Sequence, residues 1–216
     1  VGNGTDKVDL GANADFLTVS ISSYLSGTDV ISGGAGSDTV RLNVDGGASA
    51  AARVTVGETQ LKALSSFEVI NLDDATATYI GLTLTDSVVD ANATSQAMSV
   101  IGIDTTGGTA TTALLNIDAS AVTNTAVLTL TGGSAVDTIK GGAGADEING
   151  GGGADTLTGG AGNDTITTAE LDVQRGLMTV DVSSGGIDTV IIANDGWNGE
   201  GLNTTSANAN ETITNS

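Results

Sequence analysis

Aspartate recurs at a fixed spacing in residues 132–167, and this spacing suits the binding of a cation. The segment divides into four nonapeptides, GGSAVDTIK, GGAGADEIN, GGGGADTLT and GGAGNDTIT. The sixth position is always aspartate: Asp137, Asp146, Asp155 and Asp164. Carboxylates bind hard cations, and the glycines before each aspartate permit tight turns whose carbonyls can point inward. A single aspartate of this kind would be read as a turn residue, but four in one frame predict metal ligands.

The residues after each aspartate predict how these side chains are positioned. Each Asp is followed by three residues with Ile or Leu in the middle, which is typical of a short strand with one side chain facing inward. Two nonapeptides then make one coil of a parallel β-roll, and neighbouring coils stack at about 4.8 Å. This places Asp137 beside Asp155, and Asp146 beside Asp164. Carboxylates at that separation repel unless a cation lies between them. Ca²⁺, which accepts 6 to 8 oxygen ligands in flexible geometry, suits the position better than Mg²⁺.

The pattern resembles the GGxGxDxUx repeats of the RTX family, calcium-binding proteins exported by type I secretion. The resemblance implies an all-β fold, a right-handed parallel β-roll or β-solenoid with calcium-binding Gly-Asp turns, extended by irregular β-helix coils. It also implies several Ca²⁺ ions, each bound by the carbonyls of positions two and four and the Asp of one coil, and by positions one and three and the Asp of the next. The implied ligands are Gly133, Ala135, Asp137, Gly150, Gly152 and Asp155 for one ion, and Gly142, Gly144, Asp146, Gly159, Ala161 and Asp164 for the other. Ala135 replaces the family's glycine, so we expect strain and weaker binding there.

A more degenerate block opens the chain at residues 1–41. VGNGTDKVD and LGANADFLT share the nonapeptide frame, and YLSGTDVIS and GGAGSDTVR resume it after five extra residues, 19–23. The frame pairs Asp6 with Asp29 and Asp15 with Asp38 as further metal ligands. The insertion breaks the 18-residue spacing, so the sequence leaves open whether these sites form. Residues 183–191 and the stretch around Glu211 each repeat the pattern once, which alone predicts no site.

Composition excludes several classes of protein. The 6 Lys and Arg against 26 Asp and Glu give a net charge of −20, which excludes nucleic-acid binding and polybasic membrane attachment. The absence of His and Cys excludes Ser-His-Asp triads, zinc fingers and disulfide bonds. No run approaches the ~20 apolar residues of a membrane span. Adjacent acids such as Asp73 and Asp74 would point to opposite faces of a strand. We therefore expect neither a transmembrane segment nor an enzyme.

The remaining residues extend the predicted solenoid on both sides of the repeats. Residues 42–131 contain short apolar alternations every 12 to 18 residues and predict an irregular β-solenoid with one short helix at about 57–66. The strand candidates here are 69–72, 82–84, 100–103, 115–117 and 128–130. Residues 132–167 form the four-repeat roll. Residues 168–216 carry capping strands at 177–180 and 189–192 and a Gly/Asn/Thr-rich tail, which we expect to continue into a longer parent chain.

Three classes of function are compatible with these features. The first is a calcium-dependent structural protein of the bacterial cell surface, an S-layer or surface-filament subunit that folds and assembles on Ca²⁺ outside the cell. The second is an RTX adhesin module, and the third is the calcium-folding secretion domain of an exported enzyme. We favour the first and expect a secreted protein that forms a homo-oligomer, lattice or filament through calcium-stabilised contacts. Outer-membrane surface polysaccharide is a further candidate partner.

Overall fold

The computed structural model describes residues 4–20, 25, 28–43, 53–73, 79–93, 96–103, 113–169, 178–193, 203–206 and 212–215. Within these residues the chain forms nineteen short strands and two short helices. In chain order they are β1 (Lys7–Asp9), β2 (Phe16–Ser20), β3 (Val30–Ser32), β4 (Thr39–Asn43), β5 (Arg53–Val56), α1 (Glu58–Leu61), β6 (Leu64–Ser65), β7 (Val69–Asp73), β8 (Tyr79–Thr85), α2 (Asp86–Asn92), β9 (Ala97–Ile103), β10 (Leu114–Ala121), β11 (Val127–Thr131), β12 (Thr138–Lys140), β13 (Glu147–Asn149), β14 (Thr156–Thr158), β15 (Thr165–Ala169), β16 (Thr179–Val182), β17 (Thr189–Ala193), β18 (Asn203–Ser206) and β19 (Thr212–Asn215).

The described strands stack into three parallel sheets. A nine-stranded sheet has the order β2-β4-β7-β9-β11-β13-β15-β17-β19, and a seven-stranded sheet has the order β5-β8-β10-β12-β14-β16-β18. A three-stranded sheet, β1-β3-β6, lies at the N-terminal end of the stack. From β10 onward, consecutive strands alternate between the two larger sheets, so two strands make one coil. The all-β parallel solenoid expected from the sequence is confirmed.

The register within the repeats is the one that the nonapeptides predict. Thr138 pairs with Thr156 in the seven-stranded sheet, and Glu147 pairs with Thr165 in the nine-stranded sheet, both 18 residues apart. The middle residue of each repeat strand faces the core and is fully buried: Ile139, Ile148, Leu157 and Ile166. Alternation along the strand leaves the flanking residues, mostly Thr, on the outer faces. The sequence periodicity therefore sets both the coil length and the side that each residue faces.

The middle coils contain more residues than the repeat coils, and both helices lie in them. Strands β7 to β11 lie at the positions predicted for 69–72, 82–84, 100–103, 115–117 and 128–130. Strand β16 begins at residue 179, within the predicted 177–180, whose first residue lies outside the described part. Strand β17 covers the predicted 189–192. The nine-stranded sheet runs through all four predicted segments, and whether these segments are separate units stays a prediction.

The single helix predicted at 57–66 is wrong in length. Helix α1 covers four residues, and Leu64 belongs to β6 instead, because its side chain enters the core from a strand that pairs with β3. Helix α2 was not predicted. It buries Val88, Val89 and Asn92, and Asn92 Oδ1 accepts the backbone N–H of Phe67 at 3.2 Å. This helix contacts β6 where a fourth strand of the three-stranded sheet would otherwise lie.

Candidate metal centre

The residue immediately before each repeat strand occupies a corner of the coil. We call it the ladder residue of that strand, and we use the same term for the residue at the equivalent register position in every other coil. In the repeats the ladder residues are the sixth-position aspartates, and they are linked from coil to coil by hydrogen bonds. Asp137 donates its N–H to Asp155 Oδ1 at 2.9 Å, and Asp146 donates its N–H to Asp164 Oδ1 at 2.8 Å. The structure therefore brings together both predicted pairs. All four aspartates are buried: Asp137, Asp146, Asp155 and Asp164.

The ladder continues beyond the four repeats on both sides. Leu115 donates its N–H to Asp137 Oδ1 at 2.7 Å, and Leu128 donates its N–H to Asp146 Oδ1 at 2.9 Å. In the coils that lack the Gly-rich turn the ladder residue is a buried aliphatic side chain: Met98, Leu115, Leu128 and Met178. The same corner of the solenoid is thus filled either by an aspartate or by an apolar side chain.

The Gly-Asp turns adopt two conformations. In the turns that end at Asp137 and Asp146, Oδ2 accepts an N–H of its own turn, from Gly133 and Gly142 respectively, each at 2.7 Å. In the other turns a residue with positive φ redirects the backbone, for example Gly162 at +114°. In the turns that end at Asp15, Asp38, Asp164 and Asp188, Oδ2 is buried without a hydrogen-bond donor among the described residues. A buried carboxylate oxygen without a donor is costly, and a cation would satisfy it.

The first glycine of each repeat is required by the carboxylate beside it. A Cβ on Gly132 would lie 2.6 Å from Asp137 Oδ2 and 2.3 Å from the carbonyl oxygen of Gly150 in the next coil. A Cβ on Gly141 would meet Asp146 Oδ2 and the carbonyl oxygen of Gly159 in the same way. Both distances are below any real carbon contact. Carboxylate and carbonyl oxygens from two coils therefore converge at this corner, where a side chain would displace them.

Burial makes these carboxyl groups hard to ionise in the absence of a cation. Burial raises the pKa of Asp137 and of Asp146 to about 6, although hydrogen bonds from backbone N–H groups act in the opposite direction. Burial raises the pKa of Asp164 to about 7, and the neighbouring charges of Asp146 and Asp188 raise it further. Burial also raises the pKa of Asp188. A divalent cation in the corner would offset both the desolvation and the mutual repulsion.

Several of the carbonyls implied as ligands lie between coils as expected. The Gly133 oxygen accepts the N–H of Gly152 at 3.0 Å, and the Gly142 oxygen accepts the N–H of Ala161 at 2.9 Å. Each carbonyl retains a second lone pair for another interaction. Ala135, for which we expected strain, has no positive φ, so that expectation is wrong. The first repeat turn avoids strain because it belongs to the conformation without left-handed residues.

The N-terminal block repeats the ladder despite its five-residue insertion. Asp6 donates its N–H to Asp29 Oδ1 at 2.9 Å, and Asp15 donates its N–H to Asp38 Oδ1 at 2.7 Å. Strands β2 and β4 pair from Phe16 with Thr39 through Ser20 with Asn43, a spacing of 23 residues. The first two inserted residues extend β2, and residues 21–23 lie outside the described part. The predicted pairs therefore meet although the nonapeptide spacing is broken.

One aspartate of the ladder, Asp188, was not predicted from the sequence. Asp188 is fully buried, and its Oδ1 accepts the N–H of Asp164 at 2.8 Å. It thus occupies the next position after Asp164 in the same ladder. The signal was the GGID sequence at 185–188, which follows Asp164 by 24 residues instead of 18. The second single match, around Glu211, lies outside the described residues.

Backbone oxygens have to complete any metal site in the described part of the chain. Among the described residues, no three acidic, His or Cys side chains lie close enough to hold an ion by themselves. Each corner brings together two carboxylates and convergent carbonyls, and Ca²⁺ prefers such a set of oxygens. The donor set, the buried oxygens without donors and the space reserved by glycine all fit Ca²⁺.

Comparison with protein-family models shows which known repeat these turns match. Residues 25–48 and 131–166 match the RTX calcium-binding nonapeptide repeat, in four copies. The chain contains RTX calcium-binding repeats. The matched residues include Asp29 and Asp38 of the N-terminal block and all four aspartates of residues 132–167, and nonapeptide repeats of this kind bind Ca²⁺. Comparison with curated proteins and with solved structures finds no match. In the described part of the RTX chain, neither helix has the length or the apolar character to cross a bilayer.

Proposed function

We propose that this RTX chain is a calcium-dependent structural protein of the bacterial cell surface, an S-layer or surface-filament subunit. The observation that carries the proposal is the row of ladder aspartates: among the described residues, the Oδ2 atoms of Asp15, Asp38, Asp164 and Asp188 are buried without a hydrogen-bond donor. Their repulsion and desolvation oppose the fold until cations fill the corners. The fold is therefore completed where Ca²⁺ is plentiful, which is outside the cell.

Calcium acts as a folding switch in this proposal. At submicromolar Ca²⁺ the chain stays loose enough for export, because ordering its Gly-rich turns is entropically costly. Binding to the native state adds RT ln(1 + [Ca²⁺]/Kd) per site, about 2.7 kcal/mol when the ion is at 100 times Kd. Several such sites together match the roughly 5–15 kcal/mol that stabilises a typical domain.

The outer faces of the solenoid support a structural role. The outward residues of the repeat strands are polar and mostly Thr, on parallel sheets. Such faces can pack laterally, and Ca²⁺ can bridge acidic neighbours on a chain with a net charge of −20. The acid that sequence inspection considered for catalysis, Asp73, is buried and lies 3.8 Å from Arg41, while Asp74 is outside the described residues. We propose that the segment has no catalytic role.

Negative-stain microscopy of the purified chain with millimolar Ca²⁺ and with EDTA tests the assembly. We expect ordered sheets or fibres with Ca²⁺ and none without it. Circular dichroism on the same samples should show the strand signal rising with Ca²⁺. Strictly monomeric particles with a calcium-dependent strand signal would refute the lattice role and leave the adhesin or secretion-domain role. A strand signal that excess EDTA does not change would refute calcium-dependent folding itself.

A further inference from the structure

Glu68 extends the aspartate ladder of the nine-stranded sheet by one coil. It is the ladder residue of β7, and it lies outside the nonapeptides and outside both matched segments. Asp38 donates its N–H to Glu68 Oε2 at 2.9 Å. In the repeats, Asp137 makes the same contact with Asp155 Oδ1 at 2.9 Å. Glu68 thus takes the role that the next coil's aspartate has in a repeat.

The backbone around this contact also matches the repeat corners. Gly33 donates its N–H to the Ser65 carbonyl at 3.0 Å, as Gly132 does to that of Asn149 at 2.8 Å. A Cβ on Gly33 would lie 2.1 Å from the Ser66 oxygen and 2.8 Å from Asp38 Oδ2. At Gly132 the corresponding oxygens belong to Gly150 and Asp137. The Ser66 carbonyl therefore occupies the position that the carbonyl of the first glycine occupies in a repeat corner.

This corner is built from a shortened turn. Three residues, 66–68, lie between β6 and β7, whereas six residues lie between β3 and β4 in the coil before. The longer Glu side chain spans the distance that an Asp in a six-residue turn would span. Phe67 is fully buried, and Ser66 adopts a φ of +56° although it is not glycine. The backbone strain at Ser66 directs its carbonyl into the corner.

One carboxylate oxygen beside Gly33 has no hydrogen-bond donor among the described residues. Asp38 is fully buried, and its Oδ2 has no hydrogen-bond partner among the described residues. Because Asp38 Oδ2 and the Ser66 oxygen both approach the same point beside Gly33, they are separated by less than about 5 Å, a distance that two ligands of one Ca²⁺ can span. The nearby cation, Arg41, lies over the Phe16 ring and beside Asp73.

We propose that Asp38, Glu68 and the Ser66 carbonyl form a Ca²⁺ site that joins the N-terminal repeat block to the irregular coils. The proposal rests on calcium-dependent folding and adds a ligand that no repeat contains. After Glu68 the next ladder residue is the buried Met98, so this site ends the N-terminal acidic part of the ladder, which resumes at Asp146. The site lies at the end of the three-stranded sheet, beside β6, the strand that α2 contacts.

Counting bound ions in Glu68→Gln tests the site. Gln keeps the size of the side chain and an oxygen that can accept the Asp38 N–H, but it loses the charge. We expect Glu68→Gln to bind one Ca²⁺ fewer than the wild-type chain, or to bind one ion at least about tenfold more weakly, by calorimetric titration. Glu58→Gln is the matched control, because Glu58 is exposed on α1 and pairs with Lys62 on the surface. It should bind like the wild type.

A second measurement does not depend on a variant that folds. In wild-type crystals grown with calcium, anomalous scattering should show an ion in contact with both Asp38 and Glu68. Ions at Asp155 and Asp164 with none at Glu68, or Glu68→Gln with unchanged stoichiometry and affinity, would overturn this site and leave the proposed function intact. A wild-type chain that binds no Ca²⁺ would overturn both.

Discussion

The calcium-free protein should become more stable as the solution is acidified from pH 7.5 to pH 4.5. The responsible groups are Asp137, Asp146 and Asp164, whose pKa values are raised by burial to about 6, about 6 and about 7. In the unfolded chain these carboxyls titrate near the ordinary value of about 3.9. Between these values the folded state binds more protons than the unfolded state, so stability falls as pH rises through this window.

The magnitude follows from the size of the shifts. One pKa unit corresponds to about 1.4 kcal/mol, so above pH 7 ionising Asp137 or Asp146 costs the fold about 3 kcal/mol each, and ionising Asp164 about 4 kcal/mol. Because the sites interact, their combined effect is smaller than three independent costs. The cost of ionising two of these carboxyl groups already approaches the roughly 5–15 kcal/mol that stabilises a typical domain. In the calcium-free chain, the coils that contain these aspartates should therefore be close to unfolded at pH 8.

Urea unfolding followed by circular dichroism measures this dependence on chelator-treated protein. With saturating Ca²⁺ the sign should reverse, because protons compete with the ion for the same carboxylates and stability then falls below about pH 6 to 7. Asp164→Asn should flatten the calcium-free profile. Asp90→Asn removes an exposed charge from α2 and controls for general charge repulsion. A calcium-free free energy of unfolding that is flat or increases with pH would refute the reasoning.

Three further predictions concern single positions. Gly153→Ala should cost about 2–4 kcal/mol in the free energy of urea unfolding with Ca²⁺, because φ is +116° and a Cβ would meet a carbonyl oxygen of the preceding coil. Gly152→Ala, whose Cβ would make only ordinary van der Waals contact with Ser134, should cost under about 1 kcal/mol. Leu157→Ala should cost about 2–5 kcal/mol in the same assay, because it leaves a cavity in the core of the roll. Asp188→Asn should weaken at least one Ca²⁺ site about tenfold or more in calorimetric titration, because Asp188 continues the ladder from Asp164.

Each of these predictions has an outcome that would contradict it. Equal costs for the two glycine variants would mean that the turn can relax around a new side chain. A Leu157→Ala variant as stable as the wild type would show that the roll is held by ions alone. Unchanged calcium binding in Asp188→Asn, with the fold retained, would limit the sites to the matched repeats.

The coil structure could be predicted from the sequence because two short-range rules determine it. The GGxGxD turn and the apolar residue two positions later set the 18-residue register, and the structure shows it for Thr138 and Thr156. The same frame correctly paired Asp15 with Asp38 across an insertion, because the first two extra residues, Val19 and Ser20, extend β2 and the corner is retained. Ligands at corners are thus predictable wherever the turn is complete.

Features that depend on packing between coils could not be predicted. Helix α2 contains two adjacent valines, which favour strands, and its helical form depends on the burial of Val88 and Val89 against β6. The sequence did not predict Asp188 as a ligand, because Asp188 follows Asp164 by 24 residues instead of 18. Glu68 has no local motif, and only the register of β7 beside β4 places it next to Asp38. Such positions become visible only when the alignment of coils is known.

The alternation of aspartate and aliphatic residues along the ladder has a consequence for the order of assembly. Corners closed by Met98, Leu115 and Leu128 need no ion, so the central turns of the solenoid should persist when calcium is scarce. These central turns would fold first, and the acidic turns on either side would fold against them as they bind Ca²⁺. Folding would then begin in the middle of the solenoid and proceed toward both ends, so the coils would fold in a defined order.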